Sequence, residues 1–193
     1  MATAPIRYDV TMSERTNFTL NLGRIHKSEL VSQFGIGEDM PPIILGWTDD
    51  DKKVVCSLRA GLHSARKLEA IIIAVVAMRR MSPITHVTMC IDAFWAPTQN
   101  EVDLRKRFAD GDPEAREALA IISVGSDDPY FIAAPYQMGL GRVVDFDTQL
   151  HKIPLLPEDA YVVGIQRGLA APDGPLMSVA DLARLGVRME SVE

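Results

Sequence analysis

Residues 64–81, SARKLEAIIIAVVAMRRM, constrain the fold more than any other part of the chain. They predict a helix with Ser64 as its N-cap and with Arg79 and Arg80 favourably placed at its C-terminal end. The middle of this helix is apolar around most of its circumference, so it must be shielded from water on more than one side. We therefore expect a buried helix, held between a sheet and a second layer.

The segments on either side of this helix predict strands. "IILGW" (43–47) and "KVVCSL" (53–58) are β-rich, and "TDDDK" between them has turn chemistry, which together predict a hairpin. "THVTMCIDAFW" (85–95) predicts the next strand. The resulting order is β–β–α–β, and we expect the last strand to lie parallel to one hairpin arm through a right-handed crossover.

The N-terminal part is predicted as two strands, 7–13 and 17–22, followed by a short helix over 26–35. Ser28 would cap this helix, and Gly35 would end it.

After the crossover, residues 97–124 favour one or two surface helices, although the run 118–124 could finish a helix or begin a strand. Strands are predicted at 130–136 and 143–147. Pro135 has no backbone N–H, so we expect the first of these two strands at a sheet edge.

Together these patterns predict the α/β (α+β) class, with a mixed β-sheet, a buried crossover helix, β-hairpins and a Pro-rich helical C-terminal tail. A length of 193 residues favours one domain. We assign residues 1–150 to a single α/β domain and 151–193 to a C-terminal helical extension. Its two helices, 157–169 and 178–185, would pack in cis or on a partner.

The charge distribution argues against nucleic acid as a partner. The net charge is −6, and residues 98–193 hold 16 acidic against 9 basic side chains. Such a surface repels phosphate, and the chain lacks a broad basic stripe.

The two cysteines, Cys56 and Cys90, have no disulfide or zinc spacing, which favours a reducing compartment. The first ten residues lack the apolar core of a secretory signal. The longest apolar run, 70–78, is too short to cross a bilayer. We therefore expect a cytoplasmic protein (in the host cytoplasm or the virion if it is phage-encoded) with no membrane partner.

His86, Thr88, Cys90 and Asp92 share one face of the strand predicted over 85–95. Residues four apart on a strand are separated by roughly 13 Å, so His86 cannot activate Cys90 directly. The Asp92 carboxylate would raise the pKa of the thiol, which opposes a Cys–His nucleophile. The favoured interpretation is a half-covered sheet face bearing small polar side chains.

The alternative is a metal or acid–base site at the end of this strand. His63 precedes the buried helix, and together with Asp92 it could hold a divalent metal or act as base and orienting group. Asp49 to Asp51, Asp145 and Asp147 are candidates for a third ligand. No cofactor is predicted.

Four segments carry a resemblance. The buried helix, "THVTMCIDAFW", "LRKRFADGDPEAREALAIISV" and a hairpin containing "APY" (134–136) occur in the same order in uncharacterised small α/β proteins of actinobacteria and their phages, which this chain resembles over residues 42–150. The resemblance implies an actinobacterial or phage origin. It implies no activity and no catalytic residues.

The sequence therefore favours a non-catalytic protein-interaction module, regulatory or structural, whose partner is another protein or a second copy. The candidate contact residues are Trp47, Trp95, Pro135 and Leu182, although the two tryptophans could equally cap the core. The alternative is a small metal-assisted hydrolase that uses His63 and Asp92.

Overall fold

The computed structural model describes residues 12–35, 38–59, 64–96, 104–125, 129–147, 150–155, 158–172 and 178–190. Within them the helices are α1 (Glu14–Phe34), α2 (Ser64–Met81), α3 (Leu104–Ala109), α4 (Ala160–Ala170) and α5 (Val179–Arg184), and a 3-10 turn covers Leu140–Arg142. The strands are β1 (Ile43–Trp47), β2 (Lys53–Leu58), β3 (His86–Trp95), β4 (Arg116–Val124), β5 (Tyr130–Met138), β6 (Val144–Phe146), β7 (His151–Pro154) and β8 (Val187–Glu190).

The eight described strands form one sheet in the order β6-β5-β4-β3-β1-β2-β8, and β7 also pairs with β5. The predicted hairpin is confirmed, since β1 and β2 pair directly. β3 pairs antiparallel with β1, so it runs in the same direction as β2, as expected. β1 lies between β2 and β3, so these two parallel strands are not neighbours. All pairs of neighbouring strands described here are antiparallel, whereas a mixed sheet was predicted.

Helices cover both faces of this sheet, which confirms the α/β class. α2 and α4 pack with each other on one face, over a core that includes Ile44, Met89 and Ile122. α1 lies on the other face, above β3 and β4, over a core that includes Leu45, Leu119 and Ile132. α2 is therefore buried between the sheet and a second helix, as its apolar circumference predicts.

Two glycines of α4 set the distance between α4 and α2. A Cβ atom at Gly164 would lie 2.8 Å from Leu68 Cδ1, and one at Gly168 would lie 2.6 Å from the Cβ of Val75. At the end of α2, the Arg79 guanidinium donates to the carbonyl oxygens of Gly168 and Ala171. It thereby caps the C-terminal end of α4.

The N-terminal prediction was wrong over residues 17–22 and at Ser28, which lies inside α1 and does not cap it, whereas the helix predicted from residue 26 is present. Residues 17–22, predicted as a strand, belong to α1, which begins after Ser13 and ends before Gly35. The Ser13 hydroxyl accepts from the backbone N–H of Thr16, a standard N-cap contact. The predicted C-terminal end at Gly35 is confirmed, whereas the strand predicted over 7–13 falls largely outside the described residues.

Pro135 lies inside the sheet and not at its edge, because β5 pairs with β4 on one side and with β7 and β6 on the other. The outer partner changes at this point: β7 pairs with Tyr130 to Ala133, and β6 pairs with Tyr136 to Met138. The carbonyl of Pro135 accepts from the backbone N–H of Asp147 on this outer side. The missing N–H of Pro135 points the same way, into the gap between the two strands.

The described part of the 151–193 extension packs in cis. β7 pairs with β5, α4 packs on α2, and β8 pairs with β2. The two predicted helices are confirmed as α4 and α5, and Ser178 caps α5 as expected. β8 was not predicted. In the ambiguous run, residues 118–124 continue a strand, β4.

Candidate functional site

The polar face of β3 is covered by α1 instead of facing solvent. The hydroxyls of Thr19 and Thr88 are hydrogen-bonded at 2.6 Å, and both residues are buried. The Thr88 hydroxyl also accepts from the indole Nε1 of Trp47 at 2.8 Å. Farther along the face, the His86 imidazole bonds the hydroxyl of Ser123 at 2.9 Å. The small polar side chains of β3 therefore anchor a helix.

The Cys90 thiol lies directly beneath Gly23 of α1. A Cβ atom at position 23 would overlap the Cys90 sulfur, so only glycine allows the helix to approach this closely. Burial, followed by the nearby Asp92 carboxylate, raises the pKa of the Cys90 thiol. The thiolate form that nucleophilic chemistry needs is therefore disfavoured.

One helical turn farther along α1, Lys27 forms an ion pair with Asp92, with 2.8 Å between Nζ and Oδ2. The Lys27 side chain is 3% exposed and that of Asp92 is 16% exposed. Lys27 also donates to the carbonyl of Glu38 at 2.6 Å, and the backbone N–H of Met40 donates to Asp92 Oδ2. This pair ties α1, β3 and the 38–40 segment together.

The environment of Asp92 acts on its proton affinity in two directions. Burial raises the pKa of Asp92, and it outweighs the hydrogen bonds from Lys27 and from the Met40 N–H, which favour the charged form. The negative charge of Asp39 acts in the same direction as burial.

Two further polar side chains, Glu117 and Tyr136, lie beside this pair and have no hydrogen-bond partner among the described residues. Ala118 pairs with Pro135, so Glu117 and Tyr136 are the next neighbours across β4 and β5. Tyr136 is 5% exposed, and its buried hydroxyl has no hydrogen-bond partner among the described residues. A buried polar group left in this state costs about 1–3 kcal/mol.

The Glu117 carboxyl is half-buried. Burial raises its pKa, the positive charge of Lys27 opposes this, and the carboxylates of Asp92 and Asp39 add to it. Burial, together with the same acidic neighbours, also raises the pKa of Tyr136.

Aromatic rings border these carboxyl groups. Phe94 pairs directly with Glu117 across β3 and β4, so the two side chains share the α1 face of the sheet. The ring of Phe108, from α3, lies 5.3 Å from that of Phe94 between centroids. We call four side chains the acidic cluster: Lys27, Asp92, Glu117 and Tyr136. The rings of Phe94 and Phe108, which we call the aromatic border, lie beside it.

Replacing Glu117 with Gln should raise the thermal midpoint of unfolding at pH 7. A carboxyl whose pKa is raised by folding contributes stability below its unfolded pKa, near 4.5, and loses it as the pH rises through the folded value. The advantage of the variant should therefore shrink as the pH falls from 7 towards 4. Thermal unfolding monitored by circular dichroism at several pH values measures this difference.

The matched control is Glu158→Gln, which removes the same charge from an exposed turn. It should leave the midpoint nearly unchanged across the same pH range. An advantage of Glu117→Gln that grows on acidification would contradict the assigned pKa direction.

The candidate contact residues occupy different environments. Trp47, Pro135 and Leu182 are buried, so they form part of the core and do not offer a surface to a partner. Their apolar character was compatible with both roles, and the packing of helices on both faces of the sheet decides between them. Trp95 is partly exposed and stacks on the imidazole of His151 with 4.1 Å between ring centroids.

The alternative pair, His63 and Asp92, is not assembled by the described residues. His63 lies outside them, and Asp92 is engaged by Lys27 and by the Met40 N–H. Asp92 also points to the α1 face, whereas α2, which follows His63 in the chain, packs on the opposite face.

The proposed third ligands Asp49 to Asp51, Asp145 and Asp147 do not form a metal site with Asp92 among the described residues. The turn holding Asp49 to Asp51 follows Trp47, which pairs with His86 at the far end of β3. Asp147 is paired with Arg116. Among the residues that the structure describes, no three His, Cys, Asp or Glu side chains converge to hold a metal ion.

The outer face of α1 is a second candidate site. Phe18, Leu22 and Ile25 follow one another at helical spacing and line a surface depression of about 430 Å³, together with Glu14, Asn17 and Asn21. Phe18 is 37% exposed and Ile25 is 51% exposed. We call Phe18, Leu22 and Ile25 the outer stripe.

Sequence reasoning identified Asp92 but missed Lys27, Glu117, Tyr136 and the outer stripe. The available signal was the spacing of small and polar residues along 14–34, at positions 16, 19, 23 and 27, which fits one face of a helix. No described helix is both long and apolar enough to span a membrane. No protein-family model, curated protein or solved structure matches the chain.

Proposed function

We propose that this chain is a non-catalytic protein-interaction module that binds a basic amphipathic helix through the outer stripe of α1. The single observation that supports the proposal most is the exposure of Phe18 and Ile25 on α1. Large apolar side chains grouped on one helix face are typical of a docking surface.

The rest of α1 favours a surface of fixed shape. Its inner side is held by the Thr19–Thr88 hydrogen bond and the Lys27–Asp92 ion pair. Phe18 itself packs edge-on against Trp47, with 5.7 Å between ring centroids. A surface ordered before binding loses little conformational entropy on association.

Charge favours a basic partner over a second copy of this chain. Glu14 lies at one end of the outer stripe and Glu29 just beyond the other end. Of the nearby cations, Arg15 is already paired with Asp51, and Lys53 Nζ lies over the ring of Phe18, 4.6 Å from its centroid. A twofold contact through α1 would bring like charges together, whereas lysine or arginine on a partner helix would complement them. The net charge of −6 acts in the same direction.

The potential catalytic groups of β3 support a non-catalytic role, because each already has a structural partner. Cys90 is sealed beneath Gly23, and Asp92 is paired with Lys27. For the source of the chain, we propose actinobacteria or their phages, on the resemblance of residues 42–150 alone.

A pair of synthetic helical peptides tests the proposed function. Both carry leucine at positions i, i+4 and i+7; one has lysine at the flanking positions and the other has glutamate. Fluorescence anisotropy should show saturable binding of the lysine peptide only. Ile25→Asp should weaken this binding about tenfold or more, because it places a charge where an apolar side chain would be buried.

Ala180→Asp is the matched control, since it adds the same charge to an exposed position of α5. It should leave the affinity unchanged. Failure of both peptides to bind, or equal binding by Ile25→Asp, would refute the proposal. A dimer that forms at micromolar concentration in sedimentation and is lost in Ile25→Asp would reassign the stripe to a second copy and refute the basic helix as its occupant.

A further inference from the structure

We infer that the acidic cluster is a binding site for a compact organic ammonium group, held by Glu117, Asp92 and the hydroxyl of Tyr136. This site lies on the inner side of α1 and is separate from the outer stripe. The inference therefore does not depend on the proposed function. It is supported by two independent observations, one of hydrogen bonding and one of charge.

The first observation is the pair of unused polar groups on neighbouring strands. The Tyr136 hydroxyl is buried and has no hydrogen-bond partner among the described residues. The carboxyl group of its cross-strand neighbour Glu117 makes no hydrogen bond to a described residue. Buried polar groups are nearly always satisfied, so the site calls for a group that can bond a hydroxyl and a carboxylate together.

The second observation is an excess of negative charge. Among the described residues, the Asp92 carboxylate acts electrostatically on Glu117, and Lys27 is the positive group that acts on both. Asp92 uses Oδ2 for both Lys27 and the Met40 N–H, while Oδ1 makes no hydrogen bond to a described residue. A second cation carrying several N–H donors would balance the charge and bond these oxygens.

The surroundings favour an organic ammonium group over a metal ion. Phe94 lies directly across from Glu117, and the ring of Phe108 contacts the ring of Phe94. The two rings provide apolar surface and aromatic faces near the carboxylates. Aromatic rings beside carboxylates are a common setting for alkylammonium groups. Among the described residues, no three His, Cys, Asp or Glu side chains lie close enough together to hold a metal ion.

The site also has a route to solvent. Glu117 is half-buried, and the Asp92 side chain is 16% exposed. In the inferred complex, the ammonium group lies between Tyr136 and Glu117, and the alkyl part lies near the rings of Phe94 and Phe108.

Titration with n-butylammonium chloride tests this inference, with 1-butanol as the neutral probe of the same chain length and sodium chloride as the salt control. Backbone amide resonances around Glu117 and Tyr136 should shift saturably with n-butylammonium alone. Glu117→Gln should weaken the affinity about tenfold or more, because it removes a charged acceptor. Tyr136→Phe should weaken it by a smaller factor, and Glu158→Gln should leave it unchanged.

These outcomes are separable from misfolding. Glu117→Gln is expected to be at least as stable as the natural chain, and Tyr136→Phe keeps the ring. Equal shifts with 1-butanol would show that the site does not require a positive charge and would overturn the inference. So would the absence of saturable shifts with n-butylammonium, or unchanged affinity in Glu117→Gln.

Discussion

Asp92→Asn should lower the free energy of unfolding by about 3–5 kcal/mol, the range found when one partner of a buried ion pair is removed. Lys27 would remain 3% exposed without its ion-pair partner, and the carbonyl of Glu38 would be its remaining described hydrogen-bond partner. The neutral amide would also bind the Met40 N–H less strongly than the carboxylate does. Urea denaturation followed by circular dichroism measures this loss.

A double-mutant cycle distinguishes the ion pair from a general packing defect. Lys27→Met alone should also be strongly destabilising, because it leaves the largely buried Asp92 carboxylate without its ion-pair partner. The double variant should be more stable than the sum of the two single losses predicts. Lys52→Met, which breaks the exposed Lys52–Asp50 pair, serves as the control and should change the midpoint little. Additive losses in the cycle would contradict a direct Lys27–Asp92 interaction.

Gly168→Ala should destabilise the chain by about 1–3 kcal/mol, even though alanine is the better helix former. The new methyl group would lie 2.6 Å from the Cβ of Val75 and 3.1 Å from the carbonyl oxygen of Ile72. Neither atom is the end of a flexible side chain, so α4 would have to move away from α2. Arg79 would then lose its contacts with the end of α4.

Differential scanning calorimetry of Gly168→Ala measures this effect, and Gln166→Ala, at an exposed position of the same helix, is the control. The control should be neutral or slightly stabilising. If Gly168→Ala raised the midpoint, helix propensity would dominate, and the close approach of α2 and α4 would have to be wrong.

The central β–β–α–β unit could be predicted because its signals are local. A turn sequence separates the two hairpin arms, two arginines mark the C-terminal end of α2, and the apolar circumference of α2 requires two covering layers. The polar face of β3 was also predictable from its alternation. Each of these signals lies within about 20 residues of the feature that it predicts.

α1 was missed because its buried side is only partly apolar. It presents Thr16, Thr19, Gly23 and Lys27 beside the apolar Leu20 and Val31, while Phe18 and Ile25 are exposed. A search for an apolar inner face finds no helix here, and the alternation in 17–22 resembles a strand.

The acidic cluster was missed for a different reason. Its members come from α1, β3, β4 and β5, and they meet only after the sheet has formed. Glu117 also lies beside a run whose periodicity is compatible with both a helix and a strand. Pro135 was misplaced because the change of partner from β7 to β6 depends on the distant pairing of β5.

The match between α1 and β3 has a consequence for folding specificity. Four residues of a helix advance about 6 Å, and two residues of a strand advance about 6.7 Å. Residues 19, 23 and 27 of α1 can therefore lie opposite residues 88, 90 and 92 of β3, but a longer match would drift out of register. Sliding α1 by one turn in either direction would place Lys27 over a thiol or a phenyl ring and leave Asp92 without its cation. The Lys27–Asp92 ion pair thus fixes α1 at a single position on the sheet, because few apolar side chains on the buried side of this helix do so.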